Sequence, residues 1–369
     1  MTASMEDELD DAETPDSLIA RRKDHHLDIC LRPQEYAIES QLATGFGELR
    51  FVHESLPELD AAAIDTTVPF LGHTLSTPLL ISCMTGGSGR GRTANRMLAA
   101  AAQHTRIAVG LGSIRPLLED AALFDHFHIK PLAPDVPVLA NVGAAQLRTA
   151  GGQDVLEMTK RLEAQALVVH LNPGQELFQP EGERDFGGLL EAIQQLVRGA
   201  VPSVVKETGF GIRPRRVRQL LAAGVSFVDL AGAGGSNWVL VEGHRLPELL
   251  GEAAAAFADW GLPTAVLLAA LPDCGGKLIA SGGLRDGVSV AKAVALGARL
   301  GAMALPFIRD VVGGGVDAVV SRVEAISTSV RAAMTLTGAA NLAQLARVPL
   351  LRSAGFRDQV AELRRVEES

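Results

Sequence analysis

Eight short apolar runs, each followed by a stretch with helical periodicity, constrain this chain more than any other feature. They are Pro78–Cys83, Ile107–Leu111, Pro137–Asn141, Ala166–Leu171, Pro202–Lys206, Phe227–Ala231, Lys277–Ser281 and Gly301–Leu305. They are rich in β-branched residues and lack polar alternation, as parallel strands buried on both faces do. The intervening segments read as helices: Thr93–His104 with Thr93 as cap, Asp154–Gln165, Leu189–Arg198, Arg215–Ala223, Val288–Leu296 and Val316–Leu336. Glu242–Leu271 is longer than one crossover needs and is expected to hold an extended or doubled helix. Eight consecutive β-α units predict an α/β chain folded as a single (β/α)8 TIM barrel. A doubly wound open sheet is the rival, but it rarely needs eight crossovers in succession.

Composition supports one large core. Of 369 residues, 47% are hydrophobic and 21% charged, which excludes a wholly disordered chain. Net charge is −9, a poor match to nucleic acid. Much of the acidity is local, in Glu6, Asp7, Glu8, Asp10, Asp11, Glu13 and Asp16. Residues 1–20 are therefore expected to be a disordered acidic arm, and residues 21–369 the barrel with a basic N-terminal segment and a C-terminal helical cap. Three scattered cysteines, Cys30, Cys83 and Cys274, suit a reducing compartment and form no disulfide framework. No secretory leader pattern and no run of 18 apolar residues stands in the sequence, so a cytoplasmic protein without membrane attachment is expected.

A barrel of this kind does its chemistry at the C-terminal ends of its strands. Those ends are polar and glycine-rich here, from Met84-Thr85-Gly86-Gly87 through Ser113, Asn141, His170, Lys206 and Ser236 to Ser281-Gly282-Gly283. The last of these opens a helix after strand seven, and Ala304-Leu305-Pro306 closes strand eight. Together they occupy the place where barrels seat a phosphate on backbone N–H groups. No dinucleotide fingerprint or Walker pattern appears, so FMN suits this site better than a tightly held nicotinamide. Lys206 reads as a cation for the flavin N1/O2 edge, as a Schiff-base lysine, or as half of a structural pair with a carboxylate such as Glu207.

In His170-Leu171-Asn172-Pro173-Gly174-Gln175-Glu176, period two puts His170 and Asn172 on one side. Glu176 is a hard oxygen ligand suited to Mg²⁺ shared with phosphates, whereas Gln175 can orient a group but not act as a base. For His170 a hydrogen-bonded core histidine is the competing reading. Arg21-Arg22-Lys23-Asp24-His25-His26 is either a solvated charge run or a lid bringing cations over a diphosphate. His126 and His128 read as surface or packing residues, and His244 and Arg245 have no assigned role.

These motifs resemble the type 2 isopentenyl diphosphate isomerases, which are FMN-dependent barrels. The likeness rests on Arg22-Lys23-x-x-His26, Met84-Thr85-Gly86-Gly87, Gly112-Ser113-x-Arg115, His170-x-Asn172-Pro173-x-Gln175-Glu176, Gln179-Pro180-Glu181-Gly182, Lys206-Glu207-x-Gly209-Phe210-Gly211 and Ser281-Gly282-Gly283-x-Arg285, from about Arg22 to Arg309. The resemblance implies FMN contacts from Met84, Thr85, Gly86, Ser113, Asn141, Lys206, Ser236, Gly283, Leu284, Arg285, Ala304 and Leu305. It implies diphosphate or substrate contacts from Arg22, Lys23, His26, Ser113, Arg115 and Asn172, with Gln175 beside the alkene, Gln175 and His170 as catalytic residues, and Glu176 on Mg²⁺. Ser236 replaces the family's usual Thr, Gly174 a common Leu and Thr208 a common Val. The implied reaction adds a proton at C4 of isopentenyl diphosphate and removes one from C2. Reduced flavin N5 is the expected proton carrier, and NADPH only primes it. A homotetramer or homo-octamer is likewise implied. An FMN-dependent oxidoreductase of the 2-hydroxy-acid oxidase type is the alternative, and it would need a His base and an Arg clamp instead.

Overall fold

Hydrogen bonding between the eight runs closes a barrel in strict sequence order, β7-β8-β1-β2-β3-β4-β5-β6. The strands are β1 (Leu79–Ile81), β2 (Ala108–Gly110), β3 (Val138–Gly143), β4 (Ala166–Leu171), β5 (Ser203–Glu207), β6 (Phe227–Asp229), β7 (Leu278–Ala280) and β8 (Ala298–Met303). All neighbours are parallel, and β6 meets β7 through Val228 and Leu278 to complete the ring. The computed structural model describes residues 15–274 and 276–368. Residues 1–14, most of the expected acidic arm, lie outside the described residues. Within that arm the chain is already helical from Pro15, because the helix carrying the basic segment spans Pro15–Leu31.

Side chains of alternate strand positions separate into two apolar clusters, as the pleat requires. Leu80, Ala108, Leu139, Val168, Val204, Ile279 and Leu300 fill the barrel interior, together with Val68, Phe70 and Leu75. The latter three come from a two-stranded hairpin, Val68–Phe70 paired with His73–Leu75, that plugs the end of the barrel opposite the strand C-termini. Leu79, Ile81, Val109, Val142, Leu167, Val169, Val205 and Val228 face outward onto the helices. Among the described residues the interior is packed, not a pore, which leaves the C-terminal mouth as the end open to a ligand.

Several boundaries differ from the sequence reading. The helix after β1 runs Gly89–Thr105, and its N-cap is Ser88, whose hydroxyl accepts from Gly91 N at 3.1 Å. Thr93 is a turn inside the helix and donates to the Gly89 carbonyl. Leu305 is no longer strand: it starts a helix, Leu305–Thr335, broken at Gly314 and Gly315, where Gly315 has φ +66°. Three short helices follow β6, Trp238–Gly243, Glu248–Ala255 and Thr264–Ala269, and the last two lie within Glu242–Leu271, which is therefore a doubled helix and not an extended one. Pro247 and Pro263 stand at the N-caps of the second and third. A proline in this place ends one helix and starts another.

The C-terminal segment returns to the barrel. Leu350–Arg352 pairs antiparallel with Leu49–Phe51, and the helix Ala354–Glu368 packs on Thr264–Ala269 and Pro214–Ala222. Arg364 Nη2 donates to the Ala269 carbonyl at 2.6 Å, tying this helix to the segment after β6.

The loops after β6 and β7 approach so closely that a side chain does not fit between them. Gly282 has φ +94°, and a Cβ there would stand 1.9 Å from the Gly232 carbonyl oxygen. Gly282→Ala is expected to cost more than about 2 kcal/mol, from left-handed strain plus the clash. A clear fall in melting temperature measures this, and an unchanged melting curve would remove the close approach from the account.

Candidate active site

Register brings the mouth residues to one level. Gly143 on β3 pairs with His170 on β4, His170 with Lys206 on β5, and Lys206 with Asp229 on β6. Neighbours paired in a parallel sheet point to the same face, so a row of three side chains crosses β4 to β6, level with the bare Gly143 of β3. Asp229 is 1% exposed and lies 3.3 Å from Lys206 Nζ. Ser281, at the end of β7, completes the group by donating to Asp229 Oδ1 at 2.5 Å and accepting from Lys206 at 3.3 Å. Asp229 thus answers which carboxylate balances Lys206, and it is a residue the sequence reading passed over. Glu207 points the other way, and its Oε2 accepts from the N–H groups of Gly209, Phe210 and Gly211. Burial raises its pKa, and those N–H groups oppose the rise.

Above this row lies an open cavity of about 1460 Å³, including the space at its mouth. One end of the cavity is built from Ser281, Gly283, Leu284, Arg285, Ala304 and Leu305. The helix beginning at Leu305 has no side-chain cap. Ala304 and Leu305 line the cavity, so the uncapped N-terminus and its positive dipole end adjoin it, as an anion site requires. Ser236, Met84, Thr85, Ser113 and Asn141 line the wall between that end and Lys206. The Ser82 hydroxyl, on the same wall, is buried without a hydrogen-bond partner. Gly86 alone among the expected cofactor residues is not on the lining: a Cβ there would meet the Phe127 ring at 2.6 Å. Its part is to let the loop pass beneath that ring.

The opposite side is the cationic lid. Arg22, Lys23 and His26, on the helix Pro15–Leu31, face Arg115 across the cavity. This helix is pinned down by Ser88 donating to Asp24 at 2.6 Å and Arg90 to Asp28 at 2.8 Å. Burial, then the charges of Arg22 and Arg115, lower the Lys23 pKa to about 8. Arg115 Nε donates to Glu119 at 2.9 Å, and Arg22 Nη1 to Glu181 at 3.0 Å. Like charges this close are stable only with such carboxylates or with a bound anion between them.

Between the two ends stands the helix Pro173–Phe178, which follows β4. Asn172 Nδ2 donates to Gln175 Oε1 at 3.1 Å and to Glu176 Oε1 at 3.0 Å. Glu176 Oε2 accepts from Glu183 N at 2.8 Å. The Gln175 amide is held from its other end, because Nε2 donates to Glu242 Oε1 at 2.9 Å. Gly174 is explained by packing: a Cβ there would meet the Phe210 ring at 2.6 Å. Ordering of this loop comes from the helix and the Asn172 bonds.

Glu242, Arg245, Gln179 and Asp229 are among the polar residues of this mouth that were given no role in advance. Glu242 is buried on Trp238–Gly243, with His26 Nε2 2.9 Å from its Oε1. Burial pushes its pKa up, but His26, Gln175 and Arg245 outweigh that and hold it near 2. The signal available in the sequence was a Glu in an otherwise apolar Trp238-Val239-Leu240-Val241-Glu242 run, which needs a partner if buried. His126 and His128 remain outside the cavity, with His128 beside Glu163 at 3.2 Å.

The mouth and the packed interior define a (β/α)8-barrel enzyme with an anion-receptive floor and a basic lid. Solved structures agree on the fold. A Pediococcus acidilactici (putative) lactate oxidase is similar with TM-score 0.65 and 14% identity, covering 92% of this chain and 94% of that one. A mandelate oxidase variant has TM-score 0.62 and 17% identity, covering 92% and 99%. Residues 198–352 match the FMN-dependent dehydrogenase family. Sequence relatives are more specific. The isopentenyl-diphosphate delta-isomerase of Xanthobacter autotrophicus is 45% identical over 337 residues, 89% of this chain and 97% of that protein. The protein of the same name from Methanothrix thermoacetophila is 40% identical over 92% of this chain and 94% of its own. The chain belongs to the isopentenyl-diphosphate delta-isomerase family.

His170 is the titratable group whose state matters most here. Its Nδ1 lies 2.9 Å from Asn141 Oδ1, and burial, with Lys23 and Lys206 nearby, lowers its pKa from 6.5 to about 3. The unfolded chain takes up this proton and the folded one does not, so His170 withdraws stability as pH falls from about 6.5 toward 3. Its ring is expected to stay neutral down to about pH 4 in NMR titrations of the imidazole carbons. A midpoint near 6 would contradict the desolvated environment.

Proposed function

We propose that this protein interconverts isopentenyl diphosphate and dimethylallyl diphosphate, with FMN on the barrel floor and Mg²⁺ on the substrate diphosphate. The carrying observation is that one cavity holds the uncapped helix end at Leu305, the Arg22-Lys23-Arg115 cations, and Gln175 with Glu176 between them. Whole-length kinship to proteins of that name supports the same reading.

The residues present suit FMN. An uncapped helix terminus and the Gly283–Leu284 backbone accept a phosphate, with Ser236 and Arg285 at its side. Met84, Thr85, Ser113, Asn141 and Lys206 border the ring's space, and the unpartnered Ser82 hydroxyl offers a further hydrogen bond there. When bound and reduced by NADPH, FMN supplies an electron-rich ring face and an exchangeable proton beside the alkene.

The chain's own residues do the rest. Arg22, Lys23 and Arg115 bind the diphosphate, and that anion favours the charged form of a lysine whose pKa is otherwise depressed. His26 borders the same space beside Glu242. Glu176 is the carboxylate available for Mg²⁺, an ion usually held by one or two carboxylates and substrate phosphates. Asn172 fixes both Glu176 and Gln175. Glu242 sets the Gln175 amide with its N–H₂ toward the carboxylate. Neutral His170 donates or accepts a hydrogen bond but carries no charge to compete with a developing cation.

Among the described residues, no helix is long and apolar enough to cross a membrane. We also infer a cytoplasmic location from three cysteines that are all unpaired. Assembly into tetramers or octamers is supported by apolar side chains left at the surface, Leu249, Leu250 and Trp260.

The deciding experiment supplies FMN-loaded protein with NADPH, Mg²⁺ and isopentenyl diphosphate under anaerobic conditions. Many molecules of dimethylallyl diphosphate per NADPH consumed are expected. One NADPH per product, or no dimethylallyl product, overturns the isomerase reading and favours an oxidoreductase. In the same assay Glu176→Gln is expected to raise the Mg²⁺ needed for half-maximal rate by about tenfold or more. An unchanged Mg²⁺ dependence takes Glu176 out of the metal site.

A further inference from the structure

Charged side chains continue beyond the cavity wall in a chain whose members Glu181 and Arg245 the reading above leaves unused. Four side chains converge on the buried carboxylate of Glu242: His26 and Gln175, each 2.9 Å from Oε1, Gln179 and Arg245. Gln179, with its amide turned to satisfy both neighbours, donates to Glu242 Oε1 and accepts from Arg22 Nη1, each at 3.2 Å. Arg245 Nη1 donates to Glu242 Oε2, and its Nη2 lies 3.4 Å from Glu181 Oε1. That same Glu181 oxygen accepts from Arg22 at 3.0 Å. The order is therefore Arg22, Glu181, Arg245, Glu242, Gln175, with charges alternating up to the amide.

Arg245 is the permanent cation of the four on Glu242. Burial keeps the His26 pKa below its ordinary value, so that ring is mostly neutral at neutral pH. The Cys30 thiol, facing Glu242 from the lid helix, is pushed up to about 12 by burial and stays uncharged. A carboxylate this buried remains ionised only with a compensating cation. An arginine's planar fork also fixes direction, since it can grip two carboxylates at once.

We propose that Arg245 is a positioning residue: it holds the Glu242 carboxylate toward Gln175 and, through Glu181, ties that orientation to the seating of the lid cation Arg22. The diphosphate end and the alkene end of the site are then mechanically coupled. A diphosphate bound by Arg22 competes with Glu181 for that guanidinium, leaving Arg245 as the remaining cation of Glu181. The kinetic part of this inference rests on the isomerase reading; the coupling itself does not.

The test uses FMN-loaded full-length protein carrying Arg245→Met or Arg245→Lys. Removing the cation raises the Glu242 pKa, so the acidic limb of the kcat profile should move up by about one pH unit or more. At neutral pH the Met variant should lose about 10- to 100-fold in kcat, with KM for the diphosphate within about threefold. Lysine restores the charge without the fork, so it should recover the pH limb more than kcat. Hydrogen exchange without substrate should quicken at amides 22–31 and 238–243 in the Met variant. Wild-type kcat, pH limb and exchange in both variants would overturn the proposal. If wild type itself makes no dimethylallyl product, the isomerase reading fails, and unchanged exchange alone then overturns the coupling. If Arg245→Met does not fold, the same measurements on Arg245→Lys decide, with an unaltered kcat and exchange overturning the proposal.

Discussion

The level row of Gly143, His170, Lys206 and Asp229 across β3 to β6 is the constraint on which the rest of the site depends. A slip of one residue in any of these pairings would turn alternate side chains onto the outer helices. Lys206 would then lose Asp229, and a buried lysine without a carboxylate is strongly disfavoured. The apolar interior enforces the register, because Leu139, Val168 and Val204 must all face the barrel interior. Packing at the closed end therefore decides chemistry at the open one.

The site has two electrostatic halves that need different physics. The floor relies on backbone: the uncapped helix at Leu305 and the glycine loops after β6 and β7 offer N–H groups at low steric cost. The lid relies on long cationic side chains whose mutual repulsion is relieved by Glu181, Glu119 and Glu242. Backbone donors suit a resident cofactor because they require no reorganisation. Side-chain cations suit a substrate that arrives and leaves, since they can exchange an internal carboxylate for an incoming anion.

How far this was legible follows from the range of each interaction. The strands were readable because burial on both faces leaves continuous apolar runs, and Asn172 with Gln175 and Glu176 because they are neighbours in the chain. Helix starts were less so: Ser88 stands between Gly87 and Gly89, and its role depends on its hydroxyl reaching Gly91. Helix division after β6 has a local mark, because Pro247 and Pro263 interrupt a composition that otherwise looks helical and stand at helix N-caps.

By itself the sequence determined the barrel, the end that carries the chemistry, and the cations and amides gathered there. These follow from periodicity and from residue types that recur at the end of each strand. Only the tertiary structure decided partnerships between residues far apart in the chain. Lys206 with Asp229, Gln175 with Glu242, and Arg22 with Glu181 join residues 23, 67 and 159 positions apart. No local pattern encodes such pairs, because barrel closure and the lid's docking bring them together, and burial then obliges each charge to find a counterpart.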